Sequence, residues 1–217
     1  MISLFDLFKI GIGPSSSHTV GPMKAAKAFR DALLQSPDAP RSTAIVVTLF
    51  GSLAWTGKGH STDRATFLGL GGFEPATIDP DEAKSFLEQL HAHHKIALKR
   101  NLLVTFDPAK NLIFDFDTHR AEHPNTMHFA ALDASGTPIL LQTWLSIGGG
   151  FIVQAGAELA IATQSVTLPF PYRSGAELLQ MAQAAEKSIA DVVLENELAQ
   201  RPRAEVLDFI DRIASVM

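Results

Sequence analysis

The chain has 217 residues, 46% hydrophobic and 19% charged, with a formal net charge of -5 and no cysteine. That length and hydrophobic share are enough for a buried core and exclude a disordered tail, while the negative charge excludes the basic field that sequence-independent nucleic-acid binding needs. The lack of cysteine excludes disulfides, thiolate metal ligands and a cysteine nucleophile. No apolar run approaches the roughly 18 residues of a membrane span, and Met1 to Ile10 lacks the pattern of a cleaved leader, so a soluble cytoplasmic protein is expected.

Gly11 to Gly21 is rich in Gly, Pro and Ser; then Ala25, Ala28, Phe29, Ala32 and Leu33 recur at helical spacing, which predicts a helix over 22–35. Pro22 suits its first turn, where no N–H partner is lost, and Ser36-Pro37 closes it. Thr43 to Phe50 is β-branched and nearly continuous in apolar character, the pattern of a mid-sheet strand buried on both faces. Gly51 to His60 reads as a long glycine-punctuated loop, followed by a short helix capped by Ser61 or Thr62 and ended by Gly71-Gly72. Asp79 and Asp81 open a helix with Ala83, Phe86, Leu87 and Leu90 on one stripe. Strands near 102–106 and 111–116 are expected to pair through Asp107 to Lys110, and Thr126 to Leu132 with Pro138 to Ser146 around Ser135-Gly136. Gly148 to Gly150 precedes a strand-like Phe151 to Gln154.

Beyond Pro169, Ser174 with Glu177 and Ser188 with Asp191 match capping boxes. Two helices follow, and Pro202 separates a third whose Val206, Phe209, Ile210, Ile213 and Met217 share a face that needs a partner. The expected fold is α+β, a mixed sheet with flanking helices over 1–170, then a helical carboxyl-terminal segment over 171–217 leading toward a domain absent from this chain.

Two segments have the composition of a site. Gly13-Pro14-Ser15-Ser16-Ser17-His18-Thr19 runs directly into a helix, whose unpaired first-turn N–H groups, positive dipole end and added hydroxyls suit a carboxylate or phosphate beside His18. The alternative is a solvated turn whose serines cap the backbone. The second, Gly51 to Asp63, leaves a buried strand and enters a helix, where sheet proteins commonly bind ligands. It is not a phosphate loop, because five residues separate Gly51 from Gly57 and Gly59 follows Lys58. His60, like His18, precedes a predicted helix, and a neutral histidine there can serve as a general base. His91, His93 and His94 fit the solvated end of a helix better than a zinc site; His123-Pro124-Asn125 reads as a turn, and Gly148 to Gly150 lacks dinucleotide spacing.

Taken as strings, Ser15-Ser16-Ser17-His18-Thr19-Val20-Gly21-Pro22-Met23, Gly51-Ser52-Leu53-Ala54 with Thr56-Gly57-Lys58-Gly59-His60 and Thr62-Asp63, His123-Pro124-Asn125-Thr126-Met127 and Ser146-Ile147-Gly148-Gly149-Gly150-Phe151 resemble the β domain of iron-sulfur-dependent L-serine dehydratases. Trp144-Leu145, before the triple glycine, departs from the pattern, where aromatic residues such as tyrosines are expected. The resemblance implies a fold similar to the allosteric substrate-binding domain of phosphoglycerate dehydrogenases. It also implies an L-serine ammonia-lyase that forms pyruvate and ammonium without pyridoxal phosphate, in amino-acid degradation feeding gluconeogenesis. A [4Fe-4S] cluster would be ligated outside this chain, by a cluster-binding α domain or subunit, and the full enzyme would be a homo-oligomer. His18 and His60 are the candidates for proton transfer or substrate orientation, with His60 favoured as base. Ser15, Ser16, Ser17, Thr19, Gly59 and Ser61 are the candidates for binding serine, and none is a metal ligand. A non-catalytic serine-sensing module and a purely structural domain are the alternatives.

Overall fold

A computed structural model describes residues 3–99, 101–156 and 167–217. In chain order the elements are α1 (Leu4–Leu7), a π-helical turn (Ser16–Val20), α2 (Gly21–Gln35), β1 (Ala44–Phe50), α3 (Gly51–Thr56), a 3-10 turn (Lys58–His60), α4 (Thr62–Gly71) and α5 (Pro80–His93). They continue with β2 (Lys95–Lys99), β3 (Leu102–Thr105), α6 (Pro108–Asn111), β4 (Leu112–Asp115), β5 (Thr126–Leu132), β6 (Pro138–Gly148), β7 (Phe151–Gln154), α7 (Gly175–Ala184), α8 (Ile189–Leu198) and α9 (Arg203–Val216). The described residues form an α+β protein in two units, one of Gly11–Leu159 and one of Met1–Ile10 with Ala160–Met217. No described helix is long and apolar enough to cross a membrane.

In the Gly11–Leu159 unit, one mixed sheet runs in the order β2-β3-β1-β5-β6-β7, with β4 also on β1. β1 is central as expected, but its residues alternate between fully and partly buried. Ile45, Val47 and Leu49 face the core, where Met127, Phe129 and Ala131 of the antiparallel β5 and Phe29 and Leu33 of α2 meet them. Phe29 stacks on Phe129 at 5.2 Å. The β5–β6 hairpin forms as expected. The expected pairing of 102–106 with 111–116 does not. β3 and β4 both run parallel to β1, at its two ends, because α6 carries the chain forward instead of reversing it. β3 pairs instead with β2, whose alternation of exposed Lys95, Ala97 and Lys99 with buried Ile96 and Leu98 is that of a half-buried edge.

Two further expectations change. Gly51 to His60 is helical, as α3 and the 3-10 turn, and not a loop. Ser61 occupies the cap position of α4 in a left-handed conformation, but its side chain caps nothing.

In the other unit both chain ends meet. Glu197 of α8 is fully buried, and its carboxylate accepts from Ser3 Oγ at 2.8 Å and from Leu4 N–H at 2.7 Å. Phe209 of α9 stacks on Phe5 at 4.1 Å, so part of the apolar stripe finds its partner at the amino terminus, while Met217 stays exposed. Ser188 and Asp191 form a full capping box. Glu177 accepts instead from Arg173 N–H, so the box at Ser174 is one-sided.

Candidate active site

The serine-rich segment is already helical. Val20 N–H donates to Ser15 O at 3.1 Å and Gly21 N–H to Ser16 O, a wide turn that runs straight into α2. Such π turns are uncommon and concentrate at functional sites. Ser15 caps it, its hydroxyl accepting from His18 N–H at 3.1 Å. The N–H groups of Ser16 and Ser17 find no acceptor among the described residues, and Ser16 is exposed. These are first-turn donors beside the positive end of a long helix, as an incoming carboxylate requires. Ser146 of β6, fully buried, donates from Oγ to Ser17 O at 2.7 Å and ties the segment to the sheet.

His60 arrives from the other direction. Gly51 turns the chain out of β1 with φ 53°, and a Cβ there would lie 2.4 Å from Pro124 O, which accepts from Ser52 N–H at 2.8 Å. Only glycine fits that turn and that close approach. α3 and the 3-10 turn then fold back, and His60 Nδ1 lies 2.9 Å from Thr56 O.

The two histidines converge, with ring centroids 4.9 Å apart and planes inclined at 42°. Both nitrogens of His18 are engaged, Nδ1 with Ser17 Oγ and Nε2 with Ser52 Oγ, each at 2.9 Å. Burial, and then the neighbouring His60, hold the His18 ring below its ordinary pKa, against the opposing influence of Ser52, and so favour its neutral form.

The other expected site residues fall into two groups. Ser15, Ser16 and Ser17 lie at the start of the π turn beside His18. Thr19 is 3% exposed and donates its hydroxyl to His60 O at 2.8 Å. Gly59 is exposed, and a Cβ there would meet nothing within 4 Å. Ser61 is half-buried, with φ 56°. Ser52 and Thr62 are not site candidates from the sequence, where Thr62 reads only as a helix cap, although both lie in the quoted strings. The signal for Ser52 was its place just past the end of a buried strand, where sheet proteins gather their sites. Among the described residues no three His, Cys, Asp or Glu side chains group to hold a metal ion. His123 Nδ1 accepts from Asn125 N–H at 3.0 Å, the expected turn.

The pattern of the serine dehydratase beta chain family matches residues 3–157. The chain is 39% identical to the L-serine dehydratase of Haemophilus influenzae and 39% identical to L-serine dehydratase 2 of Escherichia coli. It is 41% identical to L-serine dehydratase TdcG of Escherichia coli. Each match covers 100% of this chain and 48% of the relative, so the chain spans about half the length of the curated relatives it matches. The helix-start serines, the paired histidines and the sheet that carries them all fall inside the matched region, and the chain belongs to the serine dehydratase beta chain family.

Proposed function

We propose that this chain is the substrate-side part of an L-serine ammonia-lyase of the iron-sulfur type, inactive until joined by the remaining half. The observation that carries the reading is the convergence of His60, its Nε2 without a protein partner among the described residues, on the serine-capped helix start beside His18. A carboxylate held by the free N–H groups of Ser16 and Ser17 and the Ser16 hydroxyl places the substrate's Cα–H within reach of the histidine pair. His60 Nε2 then takes the α-proton. His18, with both nitrogens occupied, orients and holds the serine hydroxyls around it.

An iron-sulfur cluster needs thiolate ligands, and this chain has no cysteine. Its residues do not fit the cluster, which in this reading belongs to the remaining half. The contribution of this chain is therefore confined to carboxylate capture and proton handling.

Complementation tests the reading. The chain alone should form no pyruvate from L-serine, whereas the chain joined to the cysteine-bearing half of a relative, assembled without oxygen, should do so without added pyridoxal phosphate. Continued inactivity of the assembled, cluster-loaded protein counts against it. A serine-sensing role, the alternative that an allosteric substrate-binding fold would allow, predicts instead serine binding by calorimetry that never leads to turnover.

A further inference from the structure

The two histidine loops are joined by a crossed pair of hydrogen bonds that touch neither ring. Thr19, directly after His18, donates its hydroxyl to His60 O at 2.8 Å; Thr62, two residues after His60, donates its hydroxyl to His18 O at 2.6 Å. Both threonines are buried, at 3% and 0% exposure, so neither hydroxyl has water as an alternative partner. Each bond spans more than forty residues, 41 and 44 positions in the chain.

Other threonines of the same region satisfy themselves locally. Thr56 donates to Ser52 O and Thr66 to Thr62 O, each four residues back and each at 2.8 Å, the usual behaviour of a helical hydroxyl. Thr19 and Thr62 reach across to the other loop, and of all its carbonyls they take those of the histidines themselves. One such bond would leave a hinge, whereas two crossed bonds fix both separation and twist. His60 needs that restraint. It ends a single 3-10 turn and is followed by Ser61 in the left-handed region, with local bonds of 3.1 Å to Gly57 O and 3.3 Å from Ser61 N–H to Lys58 O.

We propose that Thr19 and Thr62 are positioning residues, a double clasp that sets the spacing and angle of the His18–His60 pair. The proposal deepens the reading of that pair as the proton-handling site and rests on it. Threonine suits the task because branching at Cβ restricts χ1 and so aims the hydroxyl. Valine keeps the shape and loses the donor, while serine keeps the donor.

The test compares Thr19→Val and Thr62→Val with Thr19→Ser and Thr62→Ser in the full chain. The readouts are the through-space NMR contact between the ring protons of His18 and His60 and the pH titration of His18, with circular dichroism to verify folding. The valine variants should lose the cross-ring contact, and His18 should titrate closer to its ordinary value as the neighbouring ring recedes; the serine variants should keep both properties. In the complemented enzyme the valine variants should lose roughly 10- to 100-fold in kcat with little change in KM, as a misplaced base does. An unchanged cross-ring contact in folded valine variants, or serine variants no better than valine, overturns the proposal. Should the valine variants not fold, the unmodified chain decides: slowly exchanging hydroxyl protons of Thr19 and Thr62 support the clasp, and rapid exchange with water refutes it. If His60→Ala leaves turnover intact, the catalytic reading fails while the geometric clasp still stands.

Discussion

A backbone carbonyl can only accept, so the contact of His60 Nδ1 with Thr56 O selects the tautomer of the neutral ring that carries its hydrogen on Nδ1 and its lone pair on Nε2. His18 has hydroxyls on both nitrogens and no comparable free position. In the proposed reading this difference separates the base, His60, from its neighbour His18. Ser52 Oγ bonds His18 Nε2, and Ser52→Ala should lower kcat of the complemented protein about 10-fold, less than loss of His60, because it only loosens His18. The titration of buried rings also reaches stability. His18 and His128 are both held below the ordinary histidine value of 6.5, His18 chiefly by burial and then by His60, His128 by burial and then by Arg120. As the pH falls below that value, the unfolded chain takes up protons before the folded one does. Stability is therefore complete above it and declines beneath it. Urea unfolding should show a lower midpoint at about pH 5.5 than at about pH 7.5, and His18→Asn should flatten that difference. An unchanged slope would remove His18 from the account.

At the scale of elements, the site depends on how closely α4 lies against α2. A Cβ on Gly69 would stand 2.1 Å from Met23 O and 2.7 Å from Ala26 Cβ, so Gly69→Ala should force the helices apart and cost about 1–3 kcal/mol. Gly59→Ala, in open space, should change the free energy of unfolding by no more than about 0.5 kcal/mol, and a large loss there would contradict the open surroundings of that position. The long elements were legible because their periodicity is strong: α2, α5, and the β5–β6 hairpin around Ser135-Gly136. α3 was not, since six residues beginning with Gly51 are too few to show a helical repeat. The β3–β4 segment misled because a turn-like Asp107 to Lys110 suggests reversal, whereas Asp107 caps a single helical turn that carries the chain onward along β1. Within the site, the strings around His18 and His60 were legible, but the uses of Ser52, Thr19 and Thr62 were not. Their partners lie 34 to 44 residues away, a distance no local pattern encodes.

For the whole molecule, the two ends of the chain fold into one unit. Ser3 and Leu4 share the buried carboxylate of Glu197, so Glu197→Ala should destabilise that unit by about 1–3 kcal/mol, visible as a lower thermal midpoint of the helical signal. The chain matches its relatives over its full length and covers 48% of theirs, and in the proposed reading it carries one share of a serine dehydratase. On this account that share is the carboxylate cradle and the base, with cluster chemistry supplied from outside. The most direct measurement is pyruvate formation from L-serine by the complemented, cluster-loaded protein carrying His60→Ala. The account predicts a loss of at least about 100-fold with the fold and serine binding intact; turnover equal to that of the unmodified protein would contradict it.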